Sequence, residues 1–273
     1  DSSWSRKRVT VFPLIPCRRC AMCEMGEYAQ CSAYDYLGSR SDGAFAEYVA
    51  VPVWNLLPIP DEVTFEEAAM TEPAAVALHA LRLGEITGGD TVVIFGAGPI
   101  GLMLARWAHV FGASLVCLVD IDPSRLEFAR CLGMENLVDG KDDHVLEHLR
   151  DRTNGGPDLV IEGSGASSAF EQAMLVTRPF GRVVLMGNPA GEMCLSQQAY
   201  WALMRKQLSV RGTWNSVFGA SFRNEWKTTV QFLAEKRFCV CNLITHRPSL
   251  DELPGLLQAM VRREVFTCKV MCL

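Results

Sequence analysis

The chain has 273 residues, 49% hydrophobic and 21% charged, with a net charge of -5. That length accommodates one large or two moderate domains with real cores, and the composition is ordinary for a globular protein. No basic field is available for nucleic acid, and the apolar run at 91–101 is broken by glycines and followed by Arg106. Neither a nucleic-acid partner nor a membrane span is expected.

Residues 1–8 are polar and charged, so no secretory signal is read there. The chain does not begin with Met and enters a strand-like run at 9–15 almost at once, so preceding sequence is expected to be missing. Residues 1–85 read as short strands, such as 44–51, punctuated by Pro and Gly.

Cys17, Cys20, Cys23 and Cys31 follow C-x2-C-x2-C-x7-C spacing in a loop. Four thiolates this close can complete a tetrahedron around one zinc and leave no open position, which makes the site structural. A small lobe then draws its folding free energy from the metal. The flanking Arg18 and Arg19 are expected to favour the thiolate form. Iron–sulfur ligation is the rival, but bacterial ferredoxin spacing has a short last gap followed by Cys-Pro, and here Ser32 follows Cys31. Seven further cysteines (Cys117, Cys131, Cys194, Cys239, Cys241, Cys268 and Cys272) are scattered through apolar segments. Such cysteines behave as small hydrophobes, which points to a reducing cytoplasm.

From about residue 91 apolar strands alternate with amphipathic helices. Strands are predicted at 91–95, 115–119, 158–161, 182–186 and 208–211, with a weak one near Leu137. Helices are predicted at 99–111, 123–131, 144–152, 167–177 and 200–205. Strands apolar on both faces alternating with helices indicate an α/β fold with a doubly wound parallel Rossmann sheet. Two helices follow at 224–236 and 250–263, the second opened by a capping box of Ser249 and Glu252, and 269–273 reads as a last strand.

The first strand of this sheet runs into Gly96-Ala97-Gly98-Pro99-Ile100-Gly101 and then a helix, a G-x-G-x-x-G turn. Gly96 permits the tight turn, Gly98 admits a pyrophosphate close to backbone, and Gly101 lets the helix pack on the sheet. The helix N-terminus offers free N–H groups to the phosphates. The next strand ends at Asp120, about twenty residues beyond Gly101, where an acidic side chain binds the ribose hydroxyls. A carboxylate there repels a 2′-phosphate, so NAD is favoured over NADP. Asp122, just before Pro123, suits a helix N-cap instead. Residues 162–165, Met186, Gly187 and Asn188, and 213–215 end neighbouring strands, where they are candidates for the nicotinamide and substrate side or are ordinary strand-ending loops.

The cysteine lobe, Gly43-Ala44-Phe45-Ala46-Glu47-Tyr48, Glu72-Pro73 with Leu78-His79-Ala80, and the glycine turn occur in one order. That order resembles the zinc-containing medium-chain dehydrogenases, in particular their polyol branch. The stretches 34–43 and 243–247 carry a finer likeness to the members acting on galactitol 1-phosphate. The resemblance spans essentially the whole chain. It implies a GroES-like catalytic domain at 1–85, incomplete at its front, a Rossmann domain at 86–222, and a segment at 223–273 that returns to the first. It implies hydride transfer between NAD and a secondary alcohol of a sugar alcohol or sugar-alcohol phosphate, with zinc polarising the alcohol oxygen. L-iditol, sorbitol or threonine are the alternative substrates, and a homodimer or homotetramer is the expected assembly.

The resemblance also implies two zincs. The four cysteines match the structural set, and Glu72 matches the acidic residue beside the catalytic metal. The further ligands, a cysteine and a His-Glu pair, belong to a region before residue 1, and no Gly-His-Glu stands in the sequence. A non-catalytic NAD-binding protein is therefore the alternative reading. Without the family, Thr71-Glu72-Pro73 reads as a helix start with Pro73 as its first residue. His79 is expected to be packed and hydrogen-bonded; His109, His144, His148 and His246 show no metal-ligand pattern. Trp201 and Trp214 are expected in the core or a pocket wall, and Arg40, Arg205 and Lys206 are conceivable clamps for a substrate phosphate.

Overall fold

The structure is a computed structural model that describes residues 2–220 and 224–272. It divides into two compact units, one formed by residues up to Ala75 with those from Asn215 onward, the other by Val76–Trp214. The boundary expected at 222/223 lies outside the described residues.

The first unit opens with β1 (Val9–Val11) and β2 (Leu14–Ile15). The predicted run at 9–15 is thus split at Pro13, which has no N–H to give a ladder. Buried Asn55 bridges the break: its amide donates to Phe12 O at 2.7 Å and Leu14 O at 2.8 Å. The one-turn helix α1 (Ala21–Glu24) and β3 (Asp35–Tyr36) follow, with β3 antiparallel to β2. Next come β4 (Leu56–Pro58), antiparallel to β1, and α2 (Phe65–Ala69), whose N-cap Thr64 forms a capping box with Glu67. The core here is aromatic. Phe12 stacks on Phe218 at 4.5 Å, and fully buried Trp226 meets both edge-on.

Helix α3 (Thr71–Leu83) starts two residues earlier than its proline suggested, so Pro73 is its third residue. The first turn has no intrahelical acceptor for its N–H groups, so proline costs no hydrogen bond there either. The expected strand at 44–51 does not form; Tyr48 is 90% exposed. Alternation becomes a strand only where a neighbour completes the ladder, and this segment pairs with none among the described residues.

The second unit is built on β5 (Thr91–Phe95), α4 (Pro99–Val110), β6 (Leu115–Asp120), α5 (Pro123–Cys131), β7 (Leu137–Asp139) and α6 (Val145–Arg152). It continues through β8 (Leu159–Glu162), α7 (Ser167–Val176), β9 (Arg182–Leu185), α8 (Gln197–Arg205) and β10 (Ser209–Gly212). The sheet order is β10-β9-β8-β5-β6-β7, and all pairs are parallel. The chain winds outward from β5 in one direction and then in the other, so the strand order reverses between β5 and β8. Valines and Phe95 on one sheet face pack with Ala169, Ala173 and Met174 of α7 in a continuous core.

Helix α8 begins at Gln197, three residues before its predicted start, because Ser196 caps it by accepting from Ala199 N. Trp201 and Trp214 are not core residues: they are 43% and 54% exposed. Helix α8 buries Ala199, which leaves Trp201, two residues on, turned outward with Arg205 over its ring.

The chain ends in α9 (Glu225–Ala234), β11 (Ile244–His246), α10 (Leu253–Val261) and β12 (Lys269–Val270), which pairs with β11. Glu252 reaches back to Ser249 N as a capping box would, yet residues 250–252 form turns and α10 starts only at Leu253. Strand β12 stops at Val270, short of the predicted 269–273; Leu273 lies outside the described residues.

Candidate active site and metal centre

The cysteine lobe gathers its four thiols around one point. The sulfurs of Cys17, Cys20, Cys23 and Cys31 all lie within 4.8 Å of one another. Cys20 is the N-cap of α1, and Cys31 ends the 3-10 turn at Tyr28–Gln30, so two tight turns present the ligands. Backbone N–H groups converge on the sulfurs. Cys17 N donates to Cys31 Sγ at 3.2 Å, and the N–H of Arg19 points at Cys17. Bonds from Cys23 N and Ser32 N pull the Cys20 thiol down to about 5, while burial pushes Cys23 up to about 12.

The residues fit a tetrathiolate zinc, because amides aimed at sulfur stabilise thiolate charge and four sulfurs close a tetrahedron. Main-chain N–H groups, including those of Arg18 and Arg19, support the thiolates, and the Arg18 guanidinium lies over the Trp54 ring at 4.4 Å. None of the eleven cysteines is in a disulfide.

The glycine turn joins β5 to α4. Gly96 has φ +106, a left-handed conformation that costs a side-chain-bearing residue strain. A Cβ on Gly101 would stand 1.9 Å from Gly96 O, whereas one on Gly98 would meet nothing within 4 Å. Gly101 is thus needed for packing, and Gly98 keeps an open face. Helix α4 starts at Pro99 with Gly98 as N-cap and no side-chain cap bond, which leaves its first-turn N–H groups available to an anion.

Asp120 ends β6 and is 7% exposed. Its Oδ2 accepts from Ala97 N at 2.7 Å and its Oδ1 from Asp122 N at 2.9 Å. Arg125 Nη1 stands 3.5 Å from Oδ2, a partner that sequence reasoning missed. Asp122 caps α5 by accepting from Ser124 N, and its hydrogen bond with the Ser124 hydroxyl helps hold its carboxyl below the usual range.

A cavity of about 400 Å³ opens over this turn at the carboxyl ends of β5, β6 and β8. Gly96, Gly98, Pro99, Ile100, Gly101 and Asp120 all line it. Ser164, one of the strand-end candidates at 162–165, joins them from the β8 side together with Gln172, which carries no sequence signal. The cleft fits a dinucleotide: glycine backbone and a helix N-terminus for phosphates, a carboxylate for ribose. Met186, Gly187 and Asn188 lie outside this lining. Met186 N and Gly187 N donate to Glu162 O, while buried Glu162 Oε1 accepts from Ser164 N and Gly165 N.

In the first unit, Glu72 is the second residue of α3, and Tyr36 donates to its Oε1 at 3.3 Å. Burial pushes the Glu72 carboxyl up, against the opposing pull of Lys269 and Tyr36. Burial also raises the Tyr36 phenol, with the Glu72 charge adding to the effect. Among the described residues the four cysteines are the group able to share a metal; Glu72 belongs to no such group. The donors present therefore do not fit a complete second zinc site. His79 is half-buried and has an interaction partner.

The three conceivable phosphate clamps are committed elsewhere. Arg40 lies over the Tyr34 ring and donates to Tyr34 O, Arg205 lies over Trp201, and Lys206 donates to the carbonyls of Leu175 and Thr177.

A parallel switch-point sheet with a nucleotide cleft, joined in one chain to a four-thiolate lobe, defines a zinc-containing nucleotide-dependent oxidoreductase. The family model described as Zinc-binding dehydrogenase matches residues 99–235, and that described as Alcohol dehydrogenase GroES-like domain matches residues 5–61. The chain is 31% identical over 260 residues to galactitol 1-phosphate 5-dehydrogenase of Escherichia coli strain K12, covering 93% of this chain and 74% of that one. Sorbitol dehydrogenase of Bacillus subtilis strain 168 is 29% identical over 266 residues, covering 97% and 73%. The crystal structure of a short chain alcohol dehydrogenase from E. coli CFT073, complexed with NADH, superposes with a TM-score of 0.87 at 27% identity, covering 97% and 76%. The chain belongs to the zinc-dependent alcohol dehydrogenase family, with its GroES-like and Rossmann parts. It is an oxidoreductase whose cofactors are zinc and a nicotinamide dinucleotide. No helix among the described residues is long and apolar enough to cross a membrane.

Proposed function

We propose that the chain serves oxidation of a secondary alcohol in a sugar alcohol or sugar-alcohol phosphate, with NAD as hydride acceptor and galactitol 1-phosphate as the favoured substrate. The observation that carries this reading is the Asp120 carboxylate at the tip of β6, on the wall of the cavity above Gly98. Bound there, NAD supplies the hydride acceptor. Gly98 and the first-turn N–H groups of α4 bind its pyrophosphate, and Asp120 accepts from the ribose hydroxyls. Arg125 is drawn toward Asp120, and that carboxylate disfavours a 2′-phosphate, which supports NAD over NADP.

Residues 1–85 with 223–273 are assigned to the catalytic domain and 86–222 to the cofactor domain, with dimers or tetramers formed through the latter. The seven cysteines scattered outside the lobe, none in a disulfide, support a reducing, cytoplasmic setting. Cys17, Cys20, Cys23 and Cys31 hold the structural zinc. Glu72 is assigned to the reaction centre, as one ligand of a catalytic zinc whose other ligands are not among these residues. Met186, Gly187 and Asn188 are assigned to the nicotinamide side from their place at the end of β9.

The likeness to the E. coli relative supports the phosphorylated substrate, and sorbitol, L-iditol and threonine are the competing ones. A non-catalytic NAD-binding role is the second reading, favoured by the isolation of Glu72 from other ligands. Following NADH absorbance with each of these substrates decides between them. Reduction of NAD with a polyol or its phosphate supports the proposal. Tight NADH binding without turnover of any of them selects the second reading.

A further inference from the structure

We propose that Tyr36, itself held by Asn215, is the positioning residue that sets the orientation of the Glu72 carboxylate. Its consequence for function rests on the assignment of Glu72 to the reaction centre; the geometry does not.

A carboxylate at a reacting centre needs one oxygen turned to its task, within roughly 10–20°. Lys269 gives Glu72 a favourable charge, but an ammonium on a flexible stem imposes little direction. Tyr36 does impose one. Its hydroxyl donates to Oε1 at 3.3 Å, which turns Oε2 to the opposite side of the carboxyl group.

The phenol is fixed from both ends. Tyr36 closes β3 opposite Leu14, and its carbonyl accepts from the N–H groups of Ser39, Arg40 and Ser41. At the other end the Asn215 side chain stands by the hydroxyl and favours the ionised phenol, as a hydrogen-bond donor would. Asn215 has φ +59, a left-handed conformation that asparagine tolerates better than most residues. There its Oδ1 accepts from Ser216 N at 2.9 Å, so its amide nitrogen is left to meet Tyr36. Ser216 Oγ in turn accepts from the indole N–H of fully buried Trp226 at 3.0 Å. Hydrogen bonds thus run from the aromatic core through Ser216 to Asn215, which stands by the phenol that donates to Oε1.

The test uses the full chain labelled with carbon-13 at glutamate carboxyl groups, with E72Q to assign the Glu72 resonance. Y36F is expected to move that resonance while leaving the melting temperature close to wild type. N215G, which keeps the left-handed backbone but loses the amide, is expected to move it in the same direction. Y34F, at a tyrosine engaged with Arg40, is expected to leave it in place. A Glu72 resonance at its wild-type position in Y36F overturns the proposal; should Y36F not fold, N215G decides by the same criterion. Turnover by E72Q equal to wild type would instead remove Glu72 from the reaction centre, and the resonance would still judge Tyr36.

Discussion

The carboxylate of Asp120 accepts the backbone N–H of Ala97 at 2.7 Å, tying the tip of β6 to the glycine turn. One side chain therefore shapes the turn and forms the ribose end of the cleft, while Arg125 stands 3.5 Å from the same oxygen.

Replacing that carboxylate should change which dinucleotide is accepted. D120N removes the negative charge and frees Arg125 to meet a 2′-phosphate. Titrations are expected to show NADH binding weakened about tenfold or more, the scale of a hydrogen bond to a charged group, with NADPH gaining on it. An unchanged NADH to NADPH affinity ratio would contradict the assignment.

The glycines of the turn should separate packing from binding. G101A sets a methyl 1.9 Å from Gly96 O and is expected to cost about 1–3 kcal/mol in stability. G98A meets nothing within 4 Å, so denaturation should find its stability within about 0.5 kcal/mol of wild type. Calorimetry should nonetheless find its dinucleotide binding impaired, because the methyl occupies the approach to the pyrophosphate.

The thiolate lobe should depend on its metal. Chelation or C20S is expected to release zinc and unfold residues around 17–31, since metal binding supplies folding free energy there. Limited proteolysis should cut this lobe first and leave the β5–β10 sheet intact. Zinc analysis should find one tightly held ion per chain, lost in C20S.

Acid should weaken the sheet unit through Asp158. Burial pushes this carboxyl up, but bonds from Thr91 N, the Thr91 hydroxyl and Arg178 outweigh it and hold the group below the usual range. A depressed folded value means that the stabilisation is present above the unfolded pKa of about 3.9 and is lost as pH falls through the folded one. D158N should be less stable than wild type at neutral pH, and the difference should shrink below about pH 4. Urea midpoints across that range check it.

Much of the cofactor unit was legible because its signals are local. Two-sided apolar strands, the glycine turn and the capping aspartate each sit within a few residues, and β5, α5 and the cysteine spacing read directly from them. What was missed depends on distant partners. The 44–51 alternation lacked a neighbouring strand among the described residues, and no pattern of letters pairs Tyr36 with Glu72 and Asn215. The main-chain N–H groups that support the thiolates carry no residue signature, so the sequence points only to the Arg18 and Arg19 side chains.

The position of a bound dinucleotide tests the cleft most directly. A crystal structure of the chain with NADH is predicted to place the pyrophosphate over Gly98 and the α4 N-terminus, with the adenosine ribose hydroxyls within hydrogen-bonding distance of Asp120. An empty cleft at saturating NADH, or a ribose bound away from Asp120, would contradict it.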